Sequence, residues 1–95
     1  LPNPYWQTDL RRYTGLDQPV ITFLERHEQV RDMYEQLCAF LENWLPAFSR
    51  EHRSYMTIAI GCTGGQHRAV YLAEKLAAHF AATGLRTQVR HREIA

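Results

Sequence analysis

The octapeptide Gly61–Arg68, GCTGGQHR, constrains this chain more than any other stretch. It follows Ser54–Ile60, SYMTIAI, an apolar run rich in β-formers. A run without strict alternation predicts a strand covered on both faces, as in α/β sheets. From His67 the period becomes helical, with Val70, Ala73, Leu76, Ala77 and Phe80 on one stripe. Gly84 sits where a left-handed C′ residue is wanted. Beyond it Arg86–Glu93, RTQVRHRE, alternates, with Thr87, Val89 and His91 on one face and Arg86, Gln88, Arg90 and Arg92 on the other. The expected fold class is therefore α/β: a small sheet with a strand–phosphate loop–helix–strand unit, packed by helices and joined by a right-handed crossover. Two strands make a poor sheet, so further strands are expected from the N-terminal segment or from sequence upstream.

In open α/β sheets ligands bind beyond the carboxyl ends of strands, where the next helix begins. The glycines of the loop reach backbone angles that other residues avoid, so successive N–H groups can line an anion nest. The helix N-terminus adds free N–H donors and a partial positive charge. Thr63 brings a hydroxyl, His67 an imidazole and Arg68 a two-pronged cation. A nucleoside-triphosphate loop is excluded, because that motif needs four residues between its glycines, then Lys and Ser/Thr. Here Gly61 and Gly65 enclose three residues, and Gln66 and His67 follow.

A cysteine-dependent phosphatase is the enzyme alternative. Cys62 and Arg68 are separated by five residues between strand and helix. A helix N-terminus and an arginine favour a thiolate nucleophile. Against this, Ala69 occupies the place of the hydroxyl that usually follows the arginine, and Asp9, Asp17 and Asp32 form no acid-bearing loop. Metal binding is not expected: His67, His79 and His91 recur every twelve residues, and Cys38 and Cys62 lie far apart, unlike ligand spacing. His27, His52 and His79 read as surface residues.

The N-terminal half is helical in pattern. Residues 1–16 read as an extended lead-in, and Asp17 with Pro19 predicts a short helix at about 18–26. Val30, Met33, Tyr34, Leu37, Leu41, Trp44 and Leu45 form an apolar stripe, predicting a helix over 28–45 that Pro46 ends. Cys38 and Phe40 flank that stripe and are expected in or near the core.

Net charge is +1, unevenly placed. Residues 1–54 carry six basic and eight acidic side chains, whereas 55–95 carry five basic and two acidic. The C-terminal half is thus the side that meets an anion. Two cysteines make no disulfide framework, which suits a reducing cytoplasm. No apolar run is long enough to span a membrane. The start, LPNPYWQTDLRRY, has neither an initiator methionine nor a signal core, so a single domain excised from a longer chain is expected over 1–95.

LPNPYW, the TGLDQPV segment and YMTIAIGCTGGQHRAVYLAEKLA together resemble the C-terminal domain of the RapZ family, also called the YvcJ-type nucleotide-binding proteins. The resemblance spans essentially the whole chain. It implies an upstream P-loop domain that binds ATP or GTP, with no cofactor in this domain, and two β-strands ahead of LPNP. It further implies a non-catalytic RNase adapter that binds a small regulatory RNA, presents it to an endoribonuclease, senses glucosamine-6-phosphate and forms homo-oligomers. The implied ligand site is Cys62, Thr63, Gly64, Gly65, Gln66, His67 and Arg68, with Tyr5. Arg68, Arg86, Arg90 and Arg92 are the basic residues available to RNA phosphates; Arg11 and Arg12 extend that patch if the lead-in folds back. The chain departs from the family at Gln66, where lysine is frequent, at Ala69, where serine is usual, and at Tyr5, where enteric members carry histidine. The lysine-rich tail of RNA-binding members is also lacking after Ile94.

Overall fold

A computed structural model of the chain describes residues 1–49 and 56–93. A single-turn 3₁₀ helix at Pro4–Trp6 opens the lead-in, with Asn3 Oδ1 accepting from the Tyr5 N–H at 3.1 Å. Three α-helices follow: α1 at Gln18–Glu25, α2 at Glu28–Ser49 and α3 at Arg68–Ala82. Asp17 stands at the N-cap of α1, but its carboxylate turns back to accept from the Thr14 N–H at 2.8 Å. It thereby tightens the turn before the helix rather than the helix itself.

Pro46 lies inside α2 instead of ending it. A proline this near the C-terminus removes one donor, and the carbonyl it would have served belongs to the exposed Glu42, where water can take its place. α3 ends as expected. Gly84 adopts φ +94°, the Leu85 N–H donates to the Phe80 carbonyl and the Gly84 N–H to the Ala81 carbonyl. This is a Schellman closure, which only a residue tolerant of left-handed backbone makes without strain.

The core forms between the helices in two clusters. One joins Leu10 of the lead-in to Val20, Leu24, Val30, Tyr71 and Leu72; the other holds Cys38, Leu41, Leu76 and Phe80. Tyr34, Leu37 and Ile60 pack against both. Leu24, Val20 and Val30 are essentially sealed from water, each contributing about 1.5–3 kcal/mol by burial. The inward row of α2 is Val30, Tyr34, Leu37, Cys38, Leu41 and Leu45, while Met33 and Trp44 of the expected stripe are exposed. Phe40 is 60% exposed, a correction to its expected place near the core. With Met33 and Trp44 it makes a second, exposed apolar row on α2, which helical periodicity alone does not distinguish from the first.

The expected α/β class is overturned: among the described residues the fold is helical, and none forms a strand or sheet. Of the anticipated first strand, Ser54 and Tyr55 lie outside the described residues, and 56–60 run without ladder pairing. The anticipated second strand at Arg86–Glu93 is likewise unpaired over its described residues. The two segments both line one open cavity of about 620 Å³ without ladder pairing between them. β-pattern describes side chains, whereas a strand exists only through a partner backbone. The alternation does survive locally, since Val89 and His91 are partly covered while Gln88, Arg90 and Arg92 are exposed. His91 is tied to α3 through Nε2 and Glu74 Oε1 at 2.8 Å.

Candidate phosphate-binding site

The glycine loop delivers the chain from the unpaired apolar segment into α3. Gly64 and Gly65 have φ +81° and +68°, backbone that side-chain-bearing residues rarely adopt. At Gly65 a Cβ would also meet Glu93 Cγ at 2.6 Å, so the C-terminal segment lies directly over the loop. His67 occupies the N-cap position of α3 and provides no side-chain cap. The helix therefore begins with first-turn N–H groups that no cap has claimed. The exception is Ala69, whose N–H donates to Cys62 Sγ at 3.3 Å.

Not all the expected ligand residues converge. Cys62, Thr63 and Arg68 meet at one cavity of about 450 Å³, whose walls include Leu1, Met33 and Leu37. Arg68 donates from Nη1 to the Leu1 carbonyl at 3.4 Å, while its buried Nε has no protein partner. Gly64 and Gly65 instead face the second cavity, with Arg90, Arg92 and Glu93. Cys62 lines both. The volumes suit small ligands.

Gln66 turns away from both cavities. Its amide nitrogen donates to the Arg11 and Tyr13 carbonyls, each at 2.8 Å, and its own carbonyl accepts from the Gly15 N–H at 3.0 Å. Glutamine in place of lysine thus serves to fasten the lead-in. The lead-in folds back onto the loop, as the extension of the basic patch to Arg11 and Arg12 requires. Gly15 makes the approach possible, because a Cβ there would lie 2.4 Å from both the His67 carbonyl oxygen and the Tyr71 nitrogen. His67 is 5% exposed, lines neither cavity, and its Nε2 lacks a partner. Tyr5 and Arg86 are exposed and also stand outside both cavities.

The family described as the RapZ C-terminal domain matches residues 1–95. This chain belongs to it. A nucleotide-binding protein of Thioalkalivibrio sulfidiphilus is 58% identical over 95 residues, covering 99% of this chain and 33% of that protein. One from Marinobacter nauticus is 57% identical over 94 residues, 99% and 32% of the respective chains. The RNase adapter protein RapZ of Yersinia pseudotuberculosis is 54% identical over 94 residues, 99% and 33%. The chain spans about a third of the length of the curated relatives it matches.

Sequence reasoning about the family's loop missed the Leu1 carbonyl on Arg68 and the Glu93 cover over Gly65. Neither leaves a local signal: both are contacts between segments remote in sequence. No helix among the described residues is long and apolar enough to cross a membrane. Among the same residues no group of three or more His, Cys, Asp or Glu side chains comes together. His52 lies outside them.

The remaining electrostatics belong to the packing of the helices. Tyr71 donates its hydroxyl to Glu25 Oε2 at 2.9 Å, and Lys75 Nζ stands 4.5 Å from the Tyr34 ring centroid. Burial first, then the Glu25 carboxylate, raises the Tyr71 pKa above the ordinary phenol value. Burial, followed by contact with Cys38, pushes Tyr34 up to about 12.

Proposed function

We propose that this domain is the ligand- and RNA-binding part of an RNase adapter, non-catalytic in itself, whose loop takes the phosphate of a glucosamine-6-phosphate-like amino sugar. The carrying observation is the meeting of Thr63, Cys62 and Arg68 at a small cavity beside the uncapped start of α3, with Arg68 Nε lacking a partner. An incoming oxyanion gives that buried donor an acceptor, and the guanidinium supplies the opposite charge. Arg90 and Arg92 beside Gly64 and Gly65 support a second place for a phosphate of the RNA backbone. Arg86 and Arg68 extend the same charge, and the lead-in adds Arg11 and Arg12. The partners in this reading are a regulatory RNA, an endoribonuclease and further copies of the protein in a cytoplasmic setting. ATP or GTP binding falls in this reading to the remainder of a longer protein, since the relatives are nucleotide-binding proteins of which this chain spans about a third.

Calorimetry on the full-length protein with glucosamine-6-phosphate, glucosamine and inorganic phosphate tests the ligand. Saturable binding of the sugar phosphate without turnover is expected. Arg68→Ala should weaken it about tenfold or more, the loss of one charge-assisted hydrogen bond, while leaving urea stability nearly unchanged. Equal affinity of wild type and variant would end the proposal.

One observation favours a phosphatase as the second reading: Cys62 Sγ accepts the Ala69 N–H at the helix start, where a thiolate nucleophile would be held. Hydrolysis of an aryl phosphate, abolished by Cys62→Ser, would establish that reading over the first.

A further inference from the structure

The lead-in carries an aromatic and basic cluster that neither cavity uses. Trp6 is 72% exposed and Tyr5 50% exposed, and their rings meet edge to face with centroids 5.5 Å apart. Arg11 lies with its guanidinium carbon 4.6 Å from the Tyr5 ring centroid and donates from Nε to the Tyr5 carbonyl at 2.7 Å. Arg12 is held in the same manner by Tyr13, 4.8 Å from that ring centroid and 2.8 Å from its hydroxyl. Asp9 is the one acidic residue among 1–16, so the cluster keeps a positive balance.

We infer that Trp6 and Tyr5, flanked by Arg11 and Arg12, form a stacking platform for an unpaired nucleobase of a single-stranded RNA. An indole left in water forgoes the burial that such a ring normally gains. A lone exposed aromatic needs no explanation; one set among fixed guanidinium groups matches the composition of sequence-tolerant single-strand sites. There an aromatic face takes the base and neighbouring cations take the backbone. The two arginines are already oriented by tyrosine contacts, so little side-chain freedom is lost when a phosphate arrives. The position also continues the proposed phosphate site, because the Leu1 carbonyl sits on Arg68 and Tyr5 follows Leu1 by only four residue steps, at most about 14 Å of chain. Duplex RNA buries its base faces in the stack and offers nothing to this platform.

The inference rests on the reading of this domain as an RNA binder, and the test separates the two. Full-length protein is titrated with a labelled oligoadenylate and with an RNA duplex of equal length, as wild type, Trp6→Ala, Trp6→Phe, Arg11→Ala and Arg68→Ala. Trp6→Ala should weaken oligoadenylate binding about tenfold to a hundredfold, as loss of one base–aromatic stack does, and leave duplex binding unchanged. Trp6→Phe should restore most of the affinity, and Arg11→Ala should lower both the affinity and the salt slope. Failure of wild type to bind either RNA would overturn the RNA reading and this inference together. Binding of both RNAs with Trp6→Ala and Arg11→Ala unaltered would overturn the platform alone. So would a Trp6→Ala loss confined to capture of the endoribonuclease, which would make this face a protein contact. Arg68→Ala, expected to weaken both RNAs, reports on the cavity site independently.

Discussion

The two ends of α3 both rely on glycine, to opposite effect. At the C-terminal end Gly84 lets two backbone N–H groups close onto the Phe80 and Ala81 carbonyls, and the helix is finished within its own chain. At the N-terminal end Gly64 and Gly65 bring the chain in without a cap, and His67 Nε2 and Arg68 Nε are buried without partners. A terminus whose groups are satisfied is structure. One that leaves a buried guanidinium nitrogen unpartnered beside a cavity keeps hydrogen-bonding capacity unspent. What steadies the open end is the lead-in, fastened by Gln66 and pressed close by Gly15.

The contrast is most severely broken at Gly15. Gly15→Ala puts a Cβ 2.4 Å from backbone atoms at His67 and Tyr71, and we expect a loss of about 3 kcal/mol in urea unfolding, as overpacking against unyielding atoms costs. The sugar-phosphate affinity should fall with it. An alanine variant of wild-type stability would mean that the lead-in does not brace the open end.

Gly84→Ala sharpens the comparison from the other side. A Cβ there meets nothing within 4 Å, so only the left-handed backbone at φ +94° is penalised. About 1 kcal/mol of stability should be lost, with ligand affinity unchanged. A change in affinity would show that the closed end is not independent of the site.

The smallest effect is the alkaline limit of the packing that joins the first turns of α3 to α1 and α2. Tyr71 and Tyr34 are raised in the folded state above the ordinary phenol value near 10. The native state therefore holds these protons more tightly than the unfolded chain. The stability they contribute is intact below pH ~10 and is lost as pH rises through that value toward the folded pKa. Melting temperatures followed from pH ~8 to pH ~11 should fall, and Tyr71→Phe should flatten the fall. An equal slope in the variant would remove Tyr71 from this account.

Much of the helical frame was legible beforehand. The expected helix over 18–26 is α1 at Gln18–Glu25, and the one over 28–45 is α2, extended to Ser49. The start of α3 at His67–Arg68 and its glycine stop at Gly84 were also readable. The tight turn of the loop was legible because Gly64 and Gly65 stand between an apolar run and a helical period, and both adopt positive φ. Among the described residues there is no sheet: Thr57–Ala59 are exposed and 56–60 are unpaired. The orientation of Gln66 was equally hidden, since its partners lie more than fifty residues earlier in the chain.

The division follows the range of the forces. Helix periods, the glycine stop and the positive-φ loop depend on residues within a turn or two of each other, and the sequence alone determined them. Which apolar row of α2 faces the core, whether extended segments pair, and which loop side chains meet at a cavity depend on backbones brought together from distant positions. Tertiary structure decided these. It left Arg68 with an open donor at the mouth of α3 and sent Gln66 to hold the lead-in. The reason is that close approach at Gly15 is available only once the lead-in and α3 have met.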